Sequence, residues 1–145
     1  MILGKYLLLK DKQFYTRERR LLGPALAVAK KLSDFVFLHI HDLDFEKGLT
    51  TNFDVYDKLT YFIHVQVEVY REKGLETLRE YNVRLVAIPG HFSDPSLYQA
   101  IMTDDLEIAK PFKDVVTQNP EFLKTSHRVF YLWKKEPRAY ASILP

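Results

Sequence analysis

The chain contains no cysteine, and that absence excludes several kinds of chemistry. Disulfides, thiolate metal sites and cysteine nucleophiles are all ruled out, and a chain without cysteine is typical of the reducing cytoplasm. Long apolar runs are also missing, since none approaches the roughly 20 residues that cross a bilayer as a helix. We therefore expect a cytoplasmic protein without a membrane-spanning segment.

Glycine and net charge are both low. The chain has five glycines, none of them after Gly90, and a net charge of only +2 over 145 residues. Nucleic-acid binding needs a clustered basic surface, so this charge alone does not indicate it. With 47% apolar and 28% charged residues the composition is globular. The length suits one unit, and we expect a single domain over residues 1–145.

Short apolar runs predict the strands of this domain. They cover 5–10, 35–40, 83–90 and 127–133, with a weaker candidate at 112–116, and the run at 35–40 is rich in aromatic and β-branched residues. Strands that are apolar on both faces are typical of a parallel sheet covered on each side.

Helical spacing predicts the segments between the strands. Apolar residues from Leu21 to Leu32 recur on one face, with the regular helix starting near Gly23-Pro24. Ser93-Asp94-Pro95 has the composition of a helix start, with Leu97 and Ile101 on one face, and a shorter helical turn is predicted after Pro120.

The stretch from 54 to 81 fits two interpretations. Ile63, Val65, Val67 and Val69 alternate with His64, Gln66 and Glu68, which is the period of a strand. At helical spacing the same stretch also forms an apolar face that continues through "YREKGLETLREYN". We favour one long helix over 54–81, because a strand would leave no turn residues at Tyr70-Arg71.

This order of elements predicts an α/β fold. It corresponds to a doubly wound, mostly parallel sheet of four or five strands with helices on both faces, a Rossmann-like sandwich. Ligands of such folds bind beyond the carboxyl ends of the strands.

Four stretches of the chain carry a resemblance to a known family. They are "ALAVAKKLSDFVFLHIHDLDF" (25–45), "GLETLREYNVRLVAIPGHFSDPSLYQAI" (74–101), "FLKTSHRVFYLWK" (122–134) and "YLLLKD", which ends at Asp11. They resemble segments of the universal stress protein family of nucleotide-binding α/β domains, and they are spread over most of the length of the chain.

The resemblance implies a regulatory or binding module rather than an enzyme, and a homodimer formed partly by its last strand. An adenine nucleotide such as ATP is the implied ligand, although no cofactor is certain. The candidate binding residues are Asp11, Lys12, Ile40, His41, Asp42, Gly90 and His91. The family's phosphate loop places glycines at fixed spacing late in the chain, and this sequence has no glycine there. We therefore expect nucleotide binding to be weak or lost.

A metal- or nucleotide-dependent hydrolase is the alternative. His39 and His41 share one face of a strand, Asp42 follows them, and His91 is a remote fourth ligand. The competing interpretation is a packed strand histidine at position 39 with His41 and Asp42 at the strand's exit. The chain has no Gly-x-Ser-x-Gly, Walker or His-Glu-x-x-His motif.

Two groups of residues that we expect at the surface have more than one interpretation. Lys12, Arg17, Arg19 and Arg20 form either an anion site near a helix start or a solvated basic face. Aromatic residues at Tyr61, Phe62, Tyr70 and Trp133 are candidates for a homodimer surface.

Overall fold

The computed structural model describes residues 2–32 and 37–132. The strands are β1 (Ile2–Lys10), β2 (Gln13–Tyr15), β3 (Leu21–Pro24), β4 (Phe37–Asp42), β5 (His64–Val69), β6 (Arg84–Ala87), β7 (Ala100–Met102), β8 (Asp114–Val116) and β9 (Arg128–Leu132). The helices are α1 (Ala25–Lys31), α2 (Leu43–Glu46), α3 (Phe53–Leu59) and α4 (Leu75–Arg79), with 3₁₀ turns at Pro95–Leu97 and Pro120–Lys124.

Seven of these strands close into a parallel barrel. Strand β1 pairs in parallel with β4, and the chain then adds β5, β6, β7, β8 and β9 in order. Strand β9 returns to pair in parallel with the start of β1, at Ile2, Gly4 and the residue between them. The antiparallel hairpin β2–β3 extends the carboxyl end of β1.

The two faces of the barrel strands carry different residues. Alternate residues of a strand point to opposite faces, so one set lies outside and the other inside the closed barrel. The outer set packs against α1, α3 and α4 in the larger apolar core, which contains Leu7, Ile40, Val67 and Tyr56. The inner set forms a smaller apolar cluster of Phe37, Val86, Ala100, Val116, Phe130 and Leu132. Polar residues on this inner face are therefore enclosed by the barrel.

Gly4 shows how tightly the inside is filled. A Cβ atom at this position of β1 would overlap the ring of Phe37 on β4. That ring also packs edge-on against Phe130 of β9, with 5.3 Å between the ring centres. Strands β1, β4 and β9 therefore meet inside the barrel only because residue 4 has no side chain.

The predicted fold class is wrong. A doubly wound sandwich is an open sheet with two edges and helices on both faces, whereas here β9 pairs with β1 and closes the sheet. The inner face is filled by side chains instead of being covered by helices. The Rossmann-like architecture that the universal stress protein resemblance implies is contradicted by this closure. Short connections explain the difference, because β6–β7, β7–β8 and β8–β9 are joined without an α-helix.

The single helix predicted over 54–81 is also wrong. The segment is α3, then β5, then α4, and the alternating residues from His64 to Val69 form the strand. The turn before α4 uses Gly74 in the left-handed conformation, with φ 92°. The segment forms a strand because its alternating residues can then face two different environments. The polar residues face the barrel interior, and the valines face the outer core.

Other predictions have mixed outcomes. The helix ending near Leu32 and the strands within 5–10, 83–90 and 112–116 are confirmed, as is the helical turn after Pro120. The helix predicted from Ser93 is wrong, because the chain makes one 3₁₀ turn and then forms β7, which contains Ile101. The predicted strands at 35–40 and 127–133 are confirmed over Phe37–Ile40 and Arg128–Leu132. His127 precedes the second strand, and residues 35, 36 and 133 lie outside the described ranges.

Candidate functional site

The carboxyl ends of the seven parallel strands meet at one end of the barrel. In parallel barrels this is the end at which active sites are built. Polar side chains from β1, β4 and β5 occupy the inside there, and we call Tyr6, His39, His41, Glu68 and Tyr70 the mouth cluster. The closed sheet brings them together, because β4 lies between β1 and β5.

Glu68 is the centre of the mouth cluster. Its side chain is 1% exposed, and one oxygen, Oε1, lies 2.8 Å from Nε2 of His39. The other oxygen, Oε2, accepts a hydrogen bond of 2.7 Å from the Tyr70 hydroxyl and a longer one of 3.4 Å from Tyr6. Burial alone would raise the pKa of Glu68, but His39, Tyr70 and His41 more than offset it, so the pKa lies below its usual value. The cluster therefore holds a buried, ionised carboxylate.

The two tyrosines of the mouth cluster are held in the protonated state. Burial, reinforced by the negative charge of Glu68, raises the pKa of Tyr6 and that of Tyr70. Both hydroxyls therefore remain hydrogen-bond donors over the whole physiological pH range.

His41 connects the mouth cluster to the surface. Its Nε2 atom lies 3.1 Å from Oε2 of Glu46, and its Nδ1 atom lies 3.3 Å from the Tyr6 hydroxyl and 3.6 Å from Oε2 of Glu68. The ring packs against that of Tyr70, with 4.7 Å between centres. The His41 side chain is 16% exposed, whereas that of His39 is fully buried. Of the two strand histidines, His41 is the one that solvent or a ligand can reach.

A pocket of about 340 Å³ lies at the same end of the barrel as the mouth cluster, and its wall is formed by other residues. Its apolar wall is Met102, Val116 and Leu132 at the ends of β7, β8 and β9, and its polar wall includes Asp104 and Thr117. We call it the mouth pocket. Arg17, from the loop between β2 and β3, lines it and places its guanidinium 4.2 Å from the ring centre of Tyr6. Arg17 therefore joins the pocket to the cluster and gives the mouth a positive charge.

Several predicted binding residues lie away from the mouth. Ile40 is fully buried in the outer core, and Asp42 faces outward, where its carboxylate caps α2. That carboxylate accepts hydrogen bonds from the backbone N–H groups of Asp44 and Phe45, from Asn52 and from Tyr56. Burial raises the pKa of Asp42, and these bonds lower it in part. Asp42 therefore stands apart from His39 and His41, with which the hydrolase hypothesis grouped it.

Asp11 and Lys12 form the tight turn of the β1–β2 hairpin. Both have positive φ, 49° and 64°, and their backbone N–H groups donate to Asp44 and Asn52. The Lys12 ammonium pairs with Asp54 at 2.8 Å in an exposed position. In this structure the two residues attach the hairpin to α2 and α3.

Gly90 and His91 follow β6 at the mouth end. The His91 N–H donates to the Ile88 carbonyl at 2.9 Å, which closes a turn that contains Gly90 with φ 85°. The His91 ring packs at a steep angle against that of Tyr70, with 5.3 Å between ring centres. His41 and His91, both predicted, thus contact the same tyrosine.

Sequence reasoning missed Tyr6, Glu68 and Tyr70. The signal for Glu68 was the alternation of His64, Gln66 and Glu68 with valines, which places three polar residues on one face of a strand. Tyr6 and Tyr70 gave no separate signal.

Three observations limit how the site could be used. Among residues 2–32 and 37–132, no group of three or more His, Asp or Glu side chains has the geometry to hold a metal ion. No helix within the described residues is long and apolar enough to cross a membrane. No protein-family model matches the chain, and no curated protein is similar to it.

Proposed function

We propose that the chain is an enzyme that transfers protons on a small, polar, anionic substrate at the carboxyl end of its barrel. The observation that carries the proposal is the buried carboxylate of Glu68, surrounded by two histidines and two tyrosines in the barrel mouth. Ionisable groups with shifted pKa values that converge beside a pocket are typical of acid–base catalysis.

Each residue of the mouth would have a distinct role. His41 is the proton-exchanging group, because it is the partly exposed histidine of the cluster and an imidazole can both donate and accept a proton. Glu68 would stabilise positive charge on His41, from which its Oε2 atom is 3.6 Å away. Tyr70, whose hydroxyl proton is donated to Glu68, would hold the His41 ring in place by packing against it, and Arg17 would hold the substrate's anionic group in the mouth pocket.

The substrate class follows from the mouth pocket. Its wall combines an apolar floor with the hydroxyl of Thr117, the carboxylate of Asp104 and the guanidinium of Arg17. A hydroxylated carboxylic acid or a sugar phosphate has an anionic group and hydroxyls that suit this combination.

The regulatory or binding module predicted from the sequence is the competing proposal. In that case the mouth pocket would hold a ligand such as an adenine nucleotide without turnover.

We also propose a cytoplasmic location, which the absence of cysteine supports. A homodimer would have to use another surface than β9, because both edges of that strand are already paired. The exposed Tyr61 and Phe62 are candidates, while Trp133 lies outside the described residues.

A solvent-exchange experiment tests the enzymatic proposal without knowledge of the substrate. The purified protein is incubated in D₂O with pools of hydroxy acids, keto acids and sugar phosphates, and proton NMR follows both deuterium incorporation and new products. We expect the wild type to exchange or convert at least one compound. Because general acid–base groups contribute roughly 10²–10⁴-fold, His41→Gln should slow the reaction at least about 100-fold.

His127→Gln is the matched control. His127 bonds to Thr125 and the Ala109 carbonyl, outside the mouth cluster, so its replacement should leave the rate unchanged. Equal rates for both variants would place the chemistry elsewhere. Saturable ligand binding without exchange or product, with adenine nucleotides included among the ligands, would favour the binding module instead.

A further inference from the structure

A second pocket lies at the opposite, amino-terminal end of the barrel. It has a volume of about 230 Å³. Its wall includes Phe37, His64, Gln66, Arg84, Arg128 and Phe130, all on the inner face of the barrel strands. We call it the basal pocket. It shares none of these residues with the mouth cluster or the mouth pocket.

Gln66 lies in the wall of the basal pocket with its amide unpaired. The residue is fully buried, yet neither its Nε2 nor its Oε1 atom has a hydrogen-bond partner among the described residues. Buried amides in native proteins are almost always paired with protein, water or ligand. An amide left unpaired in this way is costly, so this side chain is suited to a polar guest.

Arg84 presents a second unpaired donor beside Gln66. Gln66 on β5 and Arg84 on β6 are register partners and therefore share the inner face. The Nε atom of Arg84 is buried and has no partner in the described part of the chain, although its Nη2 atom bonds Asp114. Two N–H donors side by side match the two oxygens of one carboxylate.

The charges and the apolar wall around the basal pocket further limit the chemical class of ligand that it suits. Arg84 and Arg128 both pair with Asp114, so two guanidinium groups face one carboxylate and one positive charge remains. The Phe130 ring lies between them, 5.0 Å from the first guanidinium carbon and 5.1 Å from the second. The pocket thus suits a monoanion with a small apolar part.

We propose that the basal pocket binds a small hydroxycarboxylate. Its carboxylate accepts hydrogen bonds from Nε2 of Gln66 and Nε of Arg84, and its hydroxyl donates to Oε1 of Gln66. The free positive charge of the two arginines balances the carboxylate. The volume of about 230 Å³ is several times the roughly 30 Å³ that one water molecule occupies in the liquid, so the pocket has room for such a molecule.

An NMR titration with sodium glycolate tests this proposal on the wild-type protein. We expect saturable shifts in the Gln66 side-chain amide and in the backbone amides of β6. Acetate lacks the hydroxyl and glycolamide lacks the charge. Acetate therefore loses a hydrogen bond in the pocket, and glycolamide loses the ion pairing. Each should bind at least about tenfold more weakly than glycolate.

Two variants locate the bound glycolate. Gln66→Met keeps the length of the side chain and removes both polar atoms, so binding should fall at least about tenfold, and Gln66→Glu should repel the carboxylate and abolish binding. Gln13→Met, the same substitution on β2, should bind like the wild type. Circular dichroism and a cooperative thermal transition identify variants that are folded.

The proposal is overturned by any of three results. The first is the absence of a saturable shift when glycolate is added to the wild type, which would mean that water alone fills the pocket. The second is equal affinity of glycolate for the folded Gln66 variants, which would place the binding site elsewhere. The third is binding of acetate and glycolamide as tight as that of glycolate, which would remove the roles assigned to the hydroxyl and the charge.

Discussion

Replacing Glu68 with glutamine should destabilise the protein by about 2–3 kcal/mol at pH 7. The substitution keeps the shape of the side chain but turns its two short hydrogen bonds, 2.8 Å to His39 and 2.7 Å from Tyr70, from charge-assisted into neutral ones. Bonds to charged groups contribute about 1.5–3 kcal/mol and neutral ones about 0.5–1.5 kcal/mol, and the difference over two bonds gives this range. Urea denaturation monitored by circular dichroism measures the change.

The pH dependence gives the same prediction a second test. Because the pKa of Glu68 in the folded protein lies below its usual value of 4.5, ionisation favours the folded state. That contribution is complete above about pH 4.5, the unfolded value, and is lost as the pH falls through the lower folded value. The stability difference between wild type and Glu68→Gln should therefore shrink below pH 4.5. Tyr6, Tyr70, His39 and His41 face Glu68 and are unchanged in both proteins.

Glu76→Gln on the exposed surface of α4 is the control for this experiment. It should change stability by no more than about 0.5 kcal/mol. A Glu68→Gln variant as stable as the wild type at pH 7, or a difference that does not vary between pH 7 and acid, would refute the reasoning about the buried carboxylate.

Further substitutions test the barrel interior and the outer attachments. Gly4→Ala should cost about 1–3 kcal/mol in urea denaturation, because the new methyl overlaps the Phe37 ring; an unchanged midpoint would mean that the ring is not there. Asn52→Ala should cost about 2–4 kcal/mol, because its fully buried amide donates to two carboxylates and accepts from the backbone N–H of Lys12. Thermal denaturation should detect it, and a loss below 1 kcal/mol would contradict the network. Lys12→Met removes only an exposed ion pair with Asp54, so less than about 1 kcal/mol should be lost, and that loss should vanish in 1 M salt.

Local pattern was sufficient to predict much of the secondary structure but not the closure of the sheet. Runs such as "YLLLK" and "VRLVA" are apolar on both faces, which correctly indicates parallel strands with both faces buried. That pattern is the same whether the second face is covered by helices or by the opposite wall of a barrel. Only the pairing of Ile2 with Phe130, across almost the whole chain, distinguishes the two, and no local period encodes it.

The inner face of β5 shows why the site was harder to predict than the strands. His64, Gln66 and Glu68 are polar although the strand is buried, so the apolar face that remains also fits a helix. Polar residues are tolerated inside because the barrel supplies partners from non-neighbouring strands, such as Tyr6 for Glu68. His41 could be selected from sequence because it stands at the end of a strand. Its partner carboxylate could not, since that pairing depends on the order of the strands in the closed sheet.

The most direct test of the proposed acid–base site is the D₂O exchange reaction carried out with Glu68→Gln. The variant should be folded at pH 7 by circular dichroism, yet exchange or convert the wild-type substrate at least about 100-fold more slowly, because the negative charge that lies 3.6 Å from His41 is lost from the site of proton transfer. A folded Glu68→Gln protein with the wild-type rate would contradict the account.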